Sequence, residues 1–168
     1  GLKIELQPGI RGGAANRYLV KYGRKIGPDP ASIDSAMIGG IAANNASGMC
    51  CGTSENSYKT IADIKLILAD GTELDTASEE SRKNFAATHG KMLEQLEDIA
   101  RRIEADQTLK ERIQRKYKIK NTTGYSLNAF VDYKDGFDIL KHIIIGSEGT
   151  LAFISSITYN TVVEHPHK

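Results

Sequence analysis

Three absences narrow the reading before any motif is considered. No uninterrupted apolar run approaches the length of about 20 residues that spans a bilayer, and the N-terminus lacks the basic, apolar, small-residue succession of a secretory signal. An excess of one charge is missing too. The 22 basic and 21 acidic residues leave a net +1, so no global field argues for nucleic acid or an anionic membrane. Cysteine is nearly absent. Cys50 and Cys51 are adjacent, a spacing unlike that of structural disulfides, and two thiols alone complete no tetrahedral metal site. They read as small residues filling a loop in a reducing compartment, with a vicinal redox pair as the other option.

Catalytic signatures are equally sparse. Of the four histidines, His89, His142, His165 and His167, only the last two stand at a metal-like spacing, and they lie in the terminal tail. They read as structural or tail residues. No Ser-His-Asp or Cys-His arrangement emerges, the carboxylates fall mostly in helical faces and turns, and no residue qualifies as a catalytic base. No Gly-x-Gly-x-x-Gly follows a strand, which removes the Rossmann solution for a dinucleotide.

What the chain does have is concentrated in two blocks. Residues 27–48 hold two prolines, four glycines and the adjacent Asn44 and Asn45 among only a few large apolar side chains. Glycine permits close backbone approach, proline fixes the entry, and small residues leave amides and hydroxyls free to face something polar. A phosphorylated cofactor is the natural candidate. In the second block, residues 142–154, an apolar run from His142 to Ile145 meets Gly-Ser-Glu-Gly-Thr and turns apolar again. The simple reading is strand, tight polar turn, strand.

At 168 residues the chain has the length of one ordinary domain. Residues 3–6 alternate and meet Pro8-Gly9 as a short strand. Ala15, Leu19 and Tyr22 recur at helical spacing until Gly23, and a short helix is expected around Ala42. Ile64, Leu66 and Leu68 alternate before Asp70-Gly71, predicting a hairpin over residues 61–76. From 78 to 118 the period lengthens: Leu93, Leu96, Ala100 and Ile103, then Leu109, Ile113 and Tyr117, mark two amphipathic helices. Glu97 and Arg101, Asp98 and Arg102, and Glu111 and Arg115 stand four apart for pairing, and the charged outer faces read as solvated surface. Strands interleaved with helices predict an α+β arrangement, a sheet flanked by helices.

Five motifs in order, Gly-Pro-Asp-Pro-Ala-Ser, Ile-Gly-Gly with Asn-Asn-Ala-Ser-Gly, Leu-Ala-Asp-Gly-Thr, Lys120-Asn-Thr-Thr-Gly-Tyr125-Ser-Leu and Gly-Ser-Glu-Gly-Thr-Leu, resemble the FAD-linked oxidase family. The likeness is to the vanillyl-alcohol-oxidase or p-cresol-methylhydroxylase (PCMH) type of flavin domain, in its D-lactate, glycolate and D-2-hydroxyglutarate dehydrogenase branch. It is greatest to large bacterial members with an iron–sulfur domain. The resemblance implies a mainly antiparallel sheet with helices against it: residues 1–26 end the first flavin subdomain, 27–77 and 119–163 form the second, 78–118 are a helical insertion and 164–168 a tail. It implies non-covalent FAD on Pro30, Ala31, Ser32, Met37, Gly39, Gly40, Asn44, Asn45, Ala46, Ser47 and Gly48, and on Glu148, Gly149, Thr150, Leu151 and Ile154 at the adenosine end. Ala152 replaces a glycine common there. Asn44 and Asn45 have a helix cap or Asx turn as the other reading; Lys120, Thr122 and Tyr125 are expected near the flavin, Tyr125 serving equally as a core aromatic.

The same resemblance implies that the pyrophosphate loop of relatives precedes this stretch, that Arg11-Gly12-Gly13 is not that loop, and that the substrate-binding cap follows it. The implied reaction is oxidation of a D-2-hydroxy acid, D-lactate or D-2-hydroxyglutarate, to the 2-oxo acid, with electrons passing to a quinone, an electron-transfer protein or an iron–sulfur domain. The expected location is cytoplasmic, with the larger protein at the cytoplasmic membrane face as an option. A flavin domain serving another oxidase or reductase, and a non-catalytic module using residues 79–118, remain the alternatives.

Overall fold

The computed structural model describes residues 2–49 and 51–164; Cys50, His165 and His167 lie outside them. The longest strand comes last. β5 (Phe153–Val163) runs through the sheet and pairs antiparallel with β1 (Lys3–Leu6), β2 (Arg24–Ile26) and β3 (Ile61–Ile67), and β3 in turn pairs with β4 (Glu73–Asp75). The order is β1-β5-β3-β4, with β2 on the far end of β5. Alternation along β3 and β5 puts Ile64 and Leu66 opposite Ile157 and Ile154, all buried, and Tyr159 sits in the core with its hydroxyl 2.8 Å from Ser57 Oγ. A buried hydroxyl needs such a partner. The hairpin closes through Asp70, whose carboxylate accepts from Thr72 N at 2.9 Å.

Helices cover the sheet. α1 (Gly12–Leu19) buries Ala15 and Leu19, then tightens into a 3-10 turn that ends at Gly23, where φ is +63°. Tyr22, expected on the apolar stripe, is exposed because that turn rotates it outward. α2 (Ile38–Asn44) and α3 (Ser57–Thr60) frame a loop. α4 (Glu79–Ala105) begins at Ser78, whose hydroxyl accepts from Ser81 N, with Glu79 and Glu80 in the first turn. It kinks at His89, whose Nε2 lies 2.9 Å from Asp70 and whose ring stacks on buried Phe85. α5 (Gln107–Lys116) starts on the cap Asp106. Leu93, Ala100, Ile103 and Ile113 face inward as their spacing predicts, while Leu109 is exposed. Arg101 pairs with Glu97 and Asp98. Glu111 instead accepts from Gln107 at 2.7 Å, and no Asp98–Arg102 or Glu111–Arg115 pair forms.

One expected strand is a helix. Residues 142–144 end α7 (Gly136–Ile144), with extended Ile145 as its C-cap, and α7 follows α6 (Ala129–Asp132). Asp135 caps α7 by accepting from Phe137 N and Asp138 N, and Ile139, Leu140, Ile143 and Ile144 are buried. Three consecutive isoleucines favour a strand locally, but the cap and the apolar face toward α4 prevail. Gly136 permits the crossing, since a Cβ there would stand 3.0 Å from that of Leu93.

Candidate functional site

The two blocks meet at the C-terminal end of α2. Helices leave their last carbonyls without internal partners, and here the chain's own distant turn supplies donors: Gly146 N donates to Ala42 O at 3.1 Å and Glu148 N to Ala43 O at 2.8 Å. Asn45 ends the helix in the left-handed region at φ +49°, a conformation Asn tolerates, and its side-chain oxygen accepts from Tyr58 N at 3.2 Å. Asn45 is thus a cap, while Asn44 reaches across, Nδ2 donating to Glu148 Oε1 at 2.6 Å. Glu148 also has a positive φ of +56° between Gly146 and Gly149. Such backbone costs a side-chain-bearing residue about 1 kcal/mol and persists where its surroundings impose it.

Residues 120–126 cross-link both blocks. Lys120 Nζ donates to Ser47 O at 2.6 Å, and Ser126 Oγ donates to Ile145 O at 2.8 Å. Thr150 Oγ1 donates to Ser147 O, which leaves the Tyr125 hydroxyl to donate to Thr150 Oγ1 at 2.9 Å. Tyr125 is exposed, so it is not a core aromatic. The hydroxyls of Ser47 and Ser147, one from each block, are buried without a partner among the described residues. Buried polar atoms in that state are uncommon.

The remaining candidates separate by role. A Cβ on Gly48 would overlap the carbonyl oxygen of Asp29, so Pro30, itself buried, lies against that loop through backbone packing. Gly39 is confined by Pro8, whose Cβ would be 2.8 Å from an added Cβ, whereas Gly40 opens onto free space. The expected tight passage therefore belongs to Gly39 alone. Met37, half exposed, precedes α2 and bridges to Arg11; Ala31 and Ser32 lie on an exposed turn folded onto the start of α1 through Gly12 N–Ala36 O and Gly13 N–Ile33 O. Ala46 is half-buried. Ile154 is a core residue of β5, opposite Leu66: its strand position turns the side chain away from the surface. Beside the Gly149–Leu151 turn, a cleft of about 360 Å³ is walled by Ile67, Leu68, Ala152 and exposed Phe153. Cys51 is buried, its Sγ 3.7 Å from Gly48 O, in the filling role its loop predicts.

Known proteins resemble this chain in two ways. Residues 1–77 match the family model described as FAD binding domain. The chain is 28% identical over 160 residues to the D-2-hydroxyglutarate dehydrogenase of Escherichia coli (strain K12), and 26% identical over 158 residues to the D-2-hydroxyglutarate dehydrogenase of Pantoea ananatis (strain AJ13355). These likenesses fit the FAD-linked oxidase family, with the FAD-binding match carried by the first 77 residues. Each alignment takes in 90% of the chain and 15% of the relative, so the chain spans about 15% of the length of the curated relatives it matches. Two solved structures of alkyldihydroxyacetonephosphate synthase share the fold of this chain: TM-scores are 0.51 and 0.50, at 18% and 20% identity, covering 96% of the chain and 20% and 19% of those chains.

Lys120, expected near a flavin, and Tyr125, expected there or in the core, are the cross-links between the blocks. Ser147 joins the site without an expectation from its residue type. Its signal is the Gly-Ser-Glu-Gly run, where a lone hydroxyl follows an apolar helix end.

Proposed function

We propose that this domain is the FAD-holding part of a flavin-dependent dehydrogenase that oxidises a D-2-hydroxy acid, 2-hydroxyglutarate first, to the 2-oxo acid. The observation that carries it is the junction of the two cofactor-like blocks at the end of α2, together with two similar proteins named for that substrate along 90% of the chain. The residues suit a long polar ligand. Ser47 and Ser147 are buried hydroxyls in need of partners, the Gly40 flank is open, and the cleft beside Gly149–Leu151 is apolar enough for a flat ring. Ala31, Ser32, Met37, Asn44, Ala46 and Ser47 would face the cofactor along one stretch and Glu148–Leu151 along the other. Pro30, Gly39, Asn45 and Gly48 hold those stretches in shape, and Ile154 supports them from the core.

FAD, where bound, would supply the redox chemistry. The protein's share is to fix the cofactor loops and keep their amides oriented. The test is calorimetric titration of the chain with FAD, alongside flavin fluorescence. A Gly40→Val side chain projects into open space and leaves the fold intact by circular dichroism, yet it should weaken FAD at least tenfold. Equal binding by that variant, or none by the parent chain, would overturn this placement. The substrate assignment is tested in the longer polypeptide by anaerobic addition of D-2-hydroxyglutarate against D-lactate, flavin bleaching being faster with the former.

A further inference from the structure

The flavin reading leaves the helical pair α4–α5 and its cations unused. Between the end of α5, α6 and Lys59 lies a cavity of about 580 Å³, within the size range of small-molecule sites. It shares Lys59, Tyr117, Lys118 and Asn128 with a narrower recess of about 100 Å³ that runs inward to Lys120 and Ser47. The charges on its walls are unevenly committed. Asp132 already takes Tyr58 Oη–H at 2.8 Å, Asn128 Nδ2 at 3.3 Å and Lys59 at 3.5 Å, and Glu111 takes Gln107. Arg115 and Lys118 line the same cavity with no ion-pair partner among the described residues, and Lys120 in the recess holds only a backbone carbonyl. The acidic groups are thus turned to the protein's own donors while three cations face a concave space.

We propose that this cavity is a binding site for a small dianion, a molecule carrying two carboxylate or phosphate groups. Arg115 offers a planar fork that matches either group and Lys118 a compact point charge. Walls that exclude part of the solvent strengthen both attractions relative to open surface. Gln114 and Asn128 add polar rims that donate to the rest of the ligand. The larger cavity shares no residue with the cofactor stretches, only the recess reaching Ser47, and its test needs no flavin.

The flavin-free chain is titrated calorimetrically with glutarate, inorganic pyrophosphate and butyrate at matched ionic strength. Glutarate or pyrophosphate should bind saturably, at least tenfold tighter than butyrate, the tighter of the two identifying a carboxylate or a phosphate ligand. The double variant Arg115→Gln/Lys118→Gln should lose at least tenfold of that affinity with an unchanged melting temperature. Arg112→Gln, an exposed α5 charge outside the cavity, should leave it within twofold. Dianions binding no tighter than butyrate, or Arg112→Gln weakening binding as much as the double variant, would overturn the proposal. Amide chemical shifts at 114–120 in the parent chain give a second readout independent of the variants, and no saturable shift there would overturn it equally.

Discussion

The loops around α2 and the helical pair α4–α5 are held in opposite ways. In the loops, backbone is pressed on backbone: Gly48 against Asp29, Gly27 against Glu55, Gly39 against Pro8, with carbonyls of α2 taken by a turn about a hundred residues away. The pair rests on a spaced row of apolar side chains, Phe85, Leu93, Ala100, Ile103 and Ile113, and otherwise faces solvent with charge. The first region has almost no tolerance for an added atom and the second has a great deal. A binding surface that must present amides at fixed positions needs the former kind of construction.

The sharpest way to break that contrast is to add one methyl group to each region. Gly48→Ala places a Cβ on the Asp29 carbonyl and should cost about 3 kcal/mol or more. Gly90→Ala, in α4 with no atom near its Cβ, should stabilise by about 0.5 kcal/mol. Urea unfolding measures both, and similar values would remove the distinction.

A pH experiment tests the seam between the regions. His142 of α7 stacks on Tyr133 and lies edge-on to Tyr58, which carries the bond to Asn45. Burial lowers its pKa from 6.5 to about 4. The unfolded chain therefore takes up the proton first as pH falls, so stability should drop between pH 6.5 and about 4, by roughly 3 kcal/mol in all. Above 6.5 this group has no effect. His142→Gln should flatten that window in urea midpoints. Exposed Glu104, held down to about 2 by Lys110 and Lys134, loses its charge only in stronger acid, which separates the two regions by pH.

The smallest effect comes from the reach across the blocks. Asn44→Ala removes an exposed hydrogen bond to Glu148 and should cost about 0.5–1 kcal/mol, read as a small shift in urea midpoint. An unchanged midpoint would mean that the backbone contacts alone join the blocks.

Much of this was legible in the residues. The hairpin, the helix around Ala42 and the paired helices follow from alternation, small-residue spacing and an apolar stripe, all local signals. The misread element, residues 142–145, shows where local signals stop: a short run of isoleucines suits a buried helix as well as a strand, and the arbiter was the cap Asp135 seven residues upstream. That the two blocks belong together was legible; the place of each residue in them was not. Order of motifs grouped Pro30 through Gly48 with Glu148 through Leu151, but pleat direction put Ile154 in the core, and only packing distinguishes confined Gly39 from open Gly40. The cross-links from Lys120 and Tyr125 depend on chain paths that no spacing rule encodes.

The place of β5 also governs the order of assembly. Within the described residues it is the last strand to be synthesised, yet β1, β2 and β3 all pair with it, and the turn just before it completes the end of α2. Contacts so distant along the chain form slowly, because a long loop must close before they are made. The nascent domain therefore holds its glycine-rich loop unfinished until residue 163 has emerged, and a polypeptide cut short of that strand has no sheet against which the two blocks can meet.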